Sequence, residues 1–334
     1  PGQSRGKCAG GWFDRSPVAK QSDDVISESL EVTENDYGSL GGLEMGMKEI
    51  LEFVKIEHTL FSLPFVFIGA LIANEQGYSV SAVQLMWILV AAIGARGLAM
   101  TLNRIIDRQV DAENPRTAGR HLASGAMSIN TAFSLSGLFL VMLVVGAWQL
   151  NQICLYLSPI PVIVFVIYPY LKRVTWLCHL WLGLCLGLAP AGAWLGIVGG
   201  DLGWSAIIDL HWYPTLFWIS LGVMMWISAF DLNYALMDIE SDRDNGIHSF
   251  PARFGEVHTE RTSVQMTLLW FACFAIANPI DDITFLASAG IMAILNIIII
   301  LLRGKVSDFQ TTFFRVSAAT GWVLLAGLLL GKVV

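Results

Sequence analysis

The chain has 334 residues, 55% of them hydrophobic and only 14% charged, with a formal net charge of −7 and a mean hydropathy of +0.61. Soluble domains carry about 25% charged residues, so the composition excludes an ordinary soluble fold and points to a membrane protein. The acidic balance leaves no basic surface for nucleic acid.

Residues 1–46 are rich in Gly, Ser, Asp and Glu and show no sustained periodicity. They read as a disordered or weakly ordered tail, without the apolar core of a signal peptide. Asp23, Asp24, Glu28 and Glu31 argue against an organellar transit peptide. Residues 47–334 form the expected membrane domain.

A helix crosses a bilayer core with about 20 mainly apolar residues. Candidate spans lie at 56–74, 82–102, 130–150, 152–170, 176–199, 213–236, 262–279, 282–302 and 312–332. The expected fold is therefore an all-α membrane protein of nine transmembrane helices. Connections as short as Asn151–Gln152 and Ile280–Asp281 require antiparallel neighbours. Gly69, Gly94, Pro190 and Gly192 are tolerable inside membrane helices. The tail and the segments after spans 2, 4, 6 and 8 hold 17 of the 20 basic residues. By the positive-inside rule they face the cytoplasm or its equivalent. The bacterial inner membrane is the default location, with the mitochondrial inner membrane as the alternative.

Span 2 closes on NRIIDRQVDAENPR. Asn103, Asp107 and Asp111 are spaced by four, and each step of four turns a helix by only about 40°, so all three share one face. Span 6 closes on DLNYALMDIESDRDNG, where Asp231, Tyr234, Asp238 and Asp242 again form one stripe. Acids at such places are costly and mark function. Carboxylates cannot hold phosphate directly, but they hold Mg²⁺, which bridges a few carboxylates to substrate phosphates. Arg104, Arg108, Arg116, Arg120, Lys172 and Arg173 could then neutralise the remaining phosphate oxygens. A diphosphate attached to a lipid explains both the acid pairs and the membrane. With an allylic diphosphate, departure of pyrophosphate gives a carbocation that an electron-rich aromatic ring can capture. No Ser/His/Asp or Cys/His arrangement asks for a covalent nucleophile.

These motifs resemble those of the UbiA-type intramembrane prenyltransferases. NRIIDRQVD matches N-x-x-x-D-x-x-x-D, DLNYALMDIESD matches D-x-x-Y-A-x-x-D-x-x-x-D, and YPYLKR at 168–173 resembles Y-x-x-x-K-R. PRTAGRHLASG resembles the family's R-T-x-R-P-L-x-S-G loop, with His121 and Ala123 where that loop carries prolines. The resemblance covers about 50–334. It implies helices bundled around a central, lipid-accessible cavity. It makes Asp107, Asp111, Asp238 and Asp242 the metal ligands and Asn103 the residue that orients the first pair. Arg116, Arg120, Lys172 and Arg173 become diphosphate contacts. Asp231 and Tyr234 are placed near the reacting carbon.

NPRTAGR and YALMDIESDRDNGIHSFPARFG look most like the 4-hydroxybenzoate polyprenyltransferases of ubiquinone synthesis. A carboxylated acceptor calls for a basic contact, for which Lys55, His58 and Arg120 are candidates, and His179 could meet the acceptor ring. A naphthoate-type acceptor of menaquinone synthesis is the alternative. The implied partners are a polyprenyl diphosphate, an aromatic acceptor, Mg²⁺ and the bilayer. A secondary transporter is the reading from another class, since intramembrane acids and a weak internal repeat would suit one. The five cysteines suggest neither disulfides nor zinc. Trp87, Trp176, Trp204 and Trp212 suggest an interfacial belt, and the mid-span Arg96 calls for a partner.

Overall fold

The structure is a computed structural model that describes residues 47–54 and 56–333, without the side chains of 47, 48, 51 and 56–59. The tail expected over 1–46 and the candidate Lys55 lie outside the described residues, as does the His58 side chain. The chain divides into two units, Pro1–Ile50 and Leu51–Val334. Of the first, only 47–50 are described, as the opening of the helix α1, Met47–Phe53.

Every regular element among the described residues is helical. In chain order they continue as α2 (Ile56–Glu75), α3 (Ala82–Ile106), α4 (Arg108–Glu113), α5 (Ile129–Leu150), α6 (Gln152–Leu157), α7 (Pro159–Leu171) and α8 (Cys178–Leu202). After α9 (Ser205–Ile208) come α10 (Thr215–Ala235), a 3₁₀ turn at Leu236–Asp238, α11 (Ile239–Asp244) and α12 (Phe250–Phe254). The chain ends with α13 (Glu256–Ala277), α14 (Ile283–Leu301) and α15 (Phe309–Gly331).

A helix covers each of the nine expected spans, but only seven helical stretches among the described residues are long and apolar enough to cross a membrane. The apolar part of α2 is limited to Leu60–Glu75. The first half of α13 carries Glu256, Glu260 and Arg261, which lower its hydropathy. Large apolar side chains such as Phe133, Val141, Ile163, Leu268 and Ile294 point outward, as they do where lipid replaces water.

The helix starts are written locally. Ser81 opens α3 with a capping box, accepting from the Gln84 amide at 3.1 Å while the Gln84 side chain accepts from the Ser81 amide at 2.9 Å. Asn151 allows the tight α5–α6 connection by two bonds at once. Its Oδ1 caps Cys154 N at 2.8 Å, and its Nδ2 reaches the Leu195 carbonyl of α8 at 2.9 Å.

Packing then joins the helices into a ring. α2 lies against α8 and α15, α8 against α10, α10 against α13, α13 against α14, and α14 against α15, while α3 packs on α5 and α7. Small residues permit the closest approaches. A methyl at Gly69 would collide with the Pro190 carbonyl of α8, and one at Gly183 with the Met224 carbonyl of α10. Buried polar pairs add to these contacts: Asn296 of α14 donates to Thr320 of α15 at 3.0 Å. Such interhelical bonds contribute about 0.6 kcal/mol each, so close packing dominates. Trp194, Trp226 and Trp270 are fully buried in the core, where Phe61 stacks on Trp226 at 4.5 Å.

Both acid motifs interrupt their helices at the same place. The spacing predicts one continuous helical stripe through Asn103, Asp107 and Asp111. Instead α3 ends at Ile106 and α4 restarts at Arg108, with Asp107 between them at φ −92, ψ 5. Asp238 likewise ends the 3₁₀ turn just before α11 begins, at φ −109, ψ 9. Both sit in the sparsely populated bridge region, where many active-site residues are found. The helical register survives the break, because Asp111 N still donates to Asp107 O at 2.8 Å.

Candidate active site

A cavity of about 1530 Å³ opens among α2, α3, α8 and α10. Its upper walls are apolar, with Val66, Ala92, Leu186 and Ile227 among the lining side chains. Its polar end is built from the two acid motifs, the 114–121 segment and Lys172.

Three acids are clasped by bases. Asp107 is buried; Lys172 Nζ lies 2.6 Å and Asn103 Nδ2 3.0 Å from its Oδ2, and Arg173 Nη2 lies 3.3 Å from its Oδ1. Burial pushes the Asp107 carboxyl above the ordinary carboxylate range, against the pull of the adjacent Lys172 ammonium. Arg120 Nη1 donates to both oxygens of Asp111 at 2.8 Å. Arg116 grips Asp238 with Nε at 2.8 Å and Nη2 at 2.5 Å. Burial opposes the Arg116 charge, but its bonds with Asp238 hold the guanidinium above its ordinary value. The Ser249 hydroxyl faces Asp242.

The structure therefore brings the two motifs together, through side chains from opposite halves of the chain. Asn114 and Arg116, which follow the first motif, both bond Asp238 of the second. Asn103, Arg104, Asp111, Arg116, Arg120 and Lys172 all line the cavity, as do His179, Asp231, Tyr234, Asp238 and Asp242. Asp107 and Arg173 stand behind that lining. Arg104 is buried, with its guanidinium 5.0 Å from the centre of the Phe53 ring. The Tyr234 hydroxyl donates to the Gln310 carbonyl at 3.4 Å, and its ring lies 4.5 Å from that of Phe230. His179 has both ring nitrogens engaged by the protein, Nδ1 with Asp231 at 2.7 Å and Nε2 with the Phe250 amide at 3.0 Å.

Two residues carry more of the site than their sequence signals suggested. Asn114 donates to Asp238 at 3.0 Å and accepts from the Arg116 amide at 2.9 Å. The Asn-Pro-Arg turn was the available sign, since Asn side chains bond their own backbone two residues on. Arg96 lines the cavity from α3, and its buried Nε has no hydrogen-bond partner among the described residues. Its position in mid-span was the sign there.

No three His, Cys, Asp or Glu side chains converge on one point among the described residues. Asp107, Asp111, Asp238 and Asp242 offer only hard carboxylate oxygens. That donor set does not fit zinc, which takes four close N or S ligands. It does fit Mg²⁺, which keeps waters and takes one or two carboxylates together with substrate phosphates.

The model of the UbiA prenyltransferase family matches residues 62–331. The 4-hydroxybenzoate octaprenyltransferase of Shewanella denitrificans is 27% identical over 254 residues, 76% of this chain and 82% of the relative. The apo structure of a UbiA homolog from Aeropyrum pernix K1 superimposes with a TM-score of 0.71 at 31% identity, covering 82% of this chain and 98% of that one. A UbiA homolog from Archaeoglobus fulgidus, solved bound to DMAPP and Mg²⁺, shares the fold with a TM-score of 0.60 at 17% identity, over 86% of this chain and 100% of that one. Apolar helices, paired acids at one end of a cavity and a family match across most of its length agree: the chain is an integral membrane prenyltransferase of the UbiA prenyltransferase family.

Proposed function

We propose that the protein transfers a prenyl group from a polyprenyl diphosphate to a ring carbon of 4-hydroxybenzoate, as in ubiquinone synthesis. The observation that carries this reading is the bonding of Asp238, from the second acid motif, to Asn114 and Arg116, which follow the first, at the polar end of a large apolar cavity. The diphosphate binds at that end, and the isoprenoid lies along the apolar walls. All nine expected spans cross the membrane, and the acids face the cytoplasm or matrix. A transporter places its site near the bilayer midplane, whereas these acids stand at helix ends.

Asp107, Asp111, Asp238 and Asp242 would hold Mg²⁺, which when bound offsets the charge developing on the departing pyrophosphate. Arg116, Arg120 and Lys172 orient the diphosphate oxygens and screen the charge left over. Asn103 and Arg173 keep Asp107 in place. The apolar walls exclude water, which would otherwise intercept the allylic cation. The ring attacks that cation, a C–C bond forms, and the ring proton leaves to a nearby base. Asp231 is the carboxylate placed for that task, with Tyr234 beside it. Arg96 is a cation with an unpartnered Nε inside the cavity, suited to the carboxylate of the acceptor.

The test offers purified protein geranyl diphosphate, Mg²⁺ and a panel of aromatic acceptors, with products identified by mass. C-prenylated 4-hydroxybenzoate as the main product supports the reading. Preference for a naphthoate overturns the acceptor, and absence of any C-prenylated product overturns the reaction.

A further inference from the structure

We propose that His179 is a positioning residue that keeps Asp231 aimed for proton removal. This rests on the reading above, in which the acceptor ring sheds a proton. Phe250 is the first residue of α12, and the first amides of a helix have no intrahelical partner. The Phe250 N–H instead donates to His179 Nε2 at 3.0 Å. An amide can only donate, so Nε2 carries no proton, and the ring proton resides on Nδ1. Nδ1 lies 2.7 Å from Asp231 Oδ2 and therefore donates to it.

The tautomer is thus imposed by the main chain of a different element. The Nδ1–H bond engages one oxygen of Asp231 and fixes the orientation of the group. His179 is itself held firmly, since it is nearly buried and its carbonyl accepts from the Ser228 hydroxyl at 3.1 Å. The same segment that supplies the Phe250 amide also binds Lys172, whose carbonyl accepts from His248 N at 2.8 Å. In the step itself, the diphosphate C–O bond breaks first, and the ring carbon then joins the prenyl cation. Pyrophosphate leaves with the electron pair, and the ring proton passes to Asp231.

The experiment compares wild type with His179→Leu, His179→Asn, Asp231→Asn and the His179→Leu/Asp231→Asn double variant, using geranyl diphosphate and 4-hydroxybenzoate. Proton transfer by a positioned side chain contributes about 10²–10⁴-fold. His179→Leu is expected to lower kcat about tenfold or more with the KM for geranyl diphosphate within about twofold. His179→Asn places an amide donor near the Nδ1 position and should restore most of that loss. The double variant should be no slower than Asp231→Asn. Wild-type kcat in His179→Leu, equal losses in the Leu and Asn variants, or additive losses in the double variant would overturn the proposal. Should His179→Leu not fold, ¹⁵N-histidine NMR of the wild type decides: a protonated Nδ1 with a bare Nε2 supports the assignment, and the opposite tautomer overturns it. If wild type gives no C-prenylated product, the reaction itself fails, whatever the tautomer.

Discussion

Arg116 and Asp238 are 122 residues apart in the chain and share two hydrogen bonds, at 2.8 and 2.5 Å. A base suited to a diphosphate is thus engaged with an acid suited to a metal ion. Were a cation to take Asp238, the Arg116 fork would be freed for phosphate, so each ligand would favour the other. A hydrogen bond to a charged group contributes about 1.5–3 kcal/mol, enough to make that exchange measurable.

The first prediction concerns that fork. Arg116→Gln should raise the KM for prenyl diphosphate about tenfold, the equivalent of about 1.4 kcal/mol. The affinity for Mn²⁺ without diphosphate should rise, because Asp238 loses its competing partner. An unchanged KM would show that Arg116 serves only to hold the two halves together.

The acids themselves are tested by shape-conserving changes. Asp107→Asn and Asp238→Asn should each lower kcat by at least about 10²-fold, the scale of losing a main electrostatic contact. Asp201→Asn, at the far end of α8, should leave activity unaltered. Chelation of divalent ions should abolish turnover in the wild type, and Mg²⁺ should restore it. Persistent turnover in excess chelator would contradict the assignment of all four acids.

Arg96 yields a prediction about the acceptor alone. Arg96→Leu should raise the KM for 4-hydroxybenzoate about tenfold, by loss of a charge-assisted contact, with that for geranyl diphosphate nearly unchanged. If the acceptor KM does not move, the carboxylate is bound elsewhere.

A stability prediction follows from the contact of α2 with α8. Gly69→Ala puts a methyl against the Pro190 carbonyl, and overpacking of this kind costs about 1–3 kcal/mol. The thermal midpoint in detergent should fall, while the variant that remains folded keeps the wild-type KM for both substrates. An unchanged midpoint would mean that the two helices separate freely.

Much of this site was legible because its acids recur at helix spacing where apolar runs end. Asp107, Asp111, Asp238 and Asp242 could be named from that pattern alone. The helix breaks at Asp107 and Asp238 could not, since neither motif contains Gly or Pro between its acids. Ion pairs with Lys172 and Arg116 accompany the breaks, and those partners are remote in sequence. His179 was visible as a histidine in a span, but its bond to Asp231 depends on how α8 meets α10. Hydropathy placed a helix at each expected span and overstated how many are apolar throughout. The polar first half of α13 shows why: Ser263 is buried against the Asn233 side chain of α10, so it belongs to a protein contact rather than to lipid.

The collision that a methyl at Gly183 would cause has an evolutionary meaning. His179 lies one turn before that glycine, and Asp231 lies two turns beyond Met224. The gap between His179 and Asp231 is set where two backbones meet directly, so a larger residue at Gly183 would disturb the pair as well as the chamber. A lineage adapting to a bulkier or slimmer ring must remodel the opposite wall instead. On α3, Ala92, Ala95 and Ala99 face the cavity, and exchanging those small side chains resizes the chamber without touching the machinery that moves the proton.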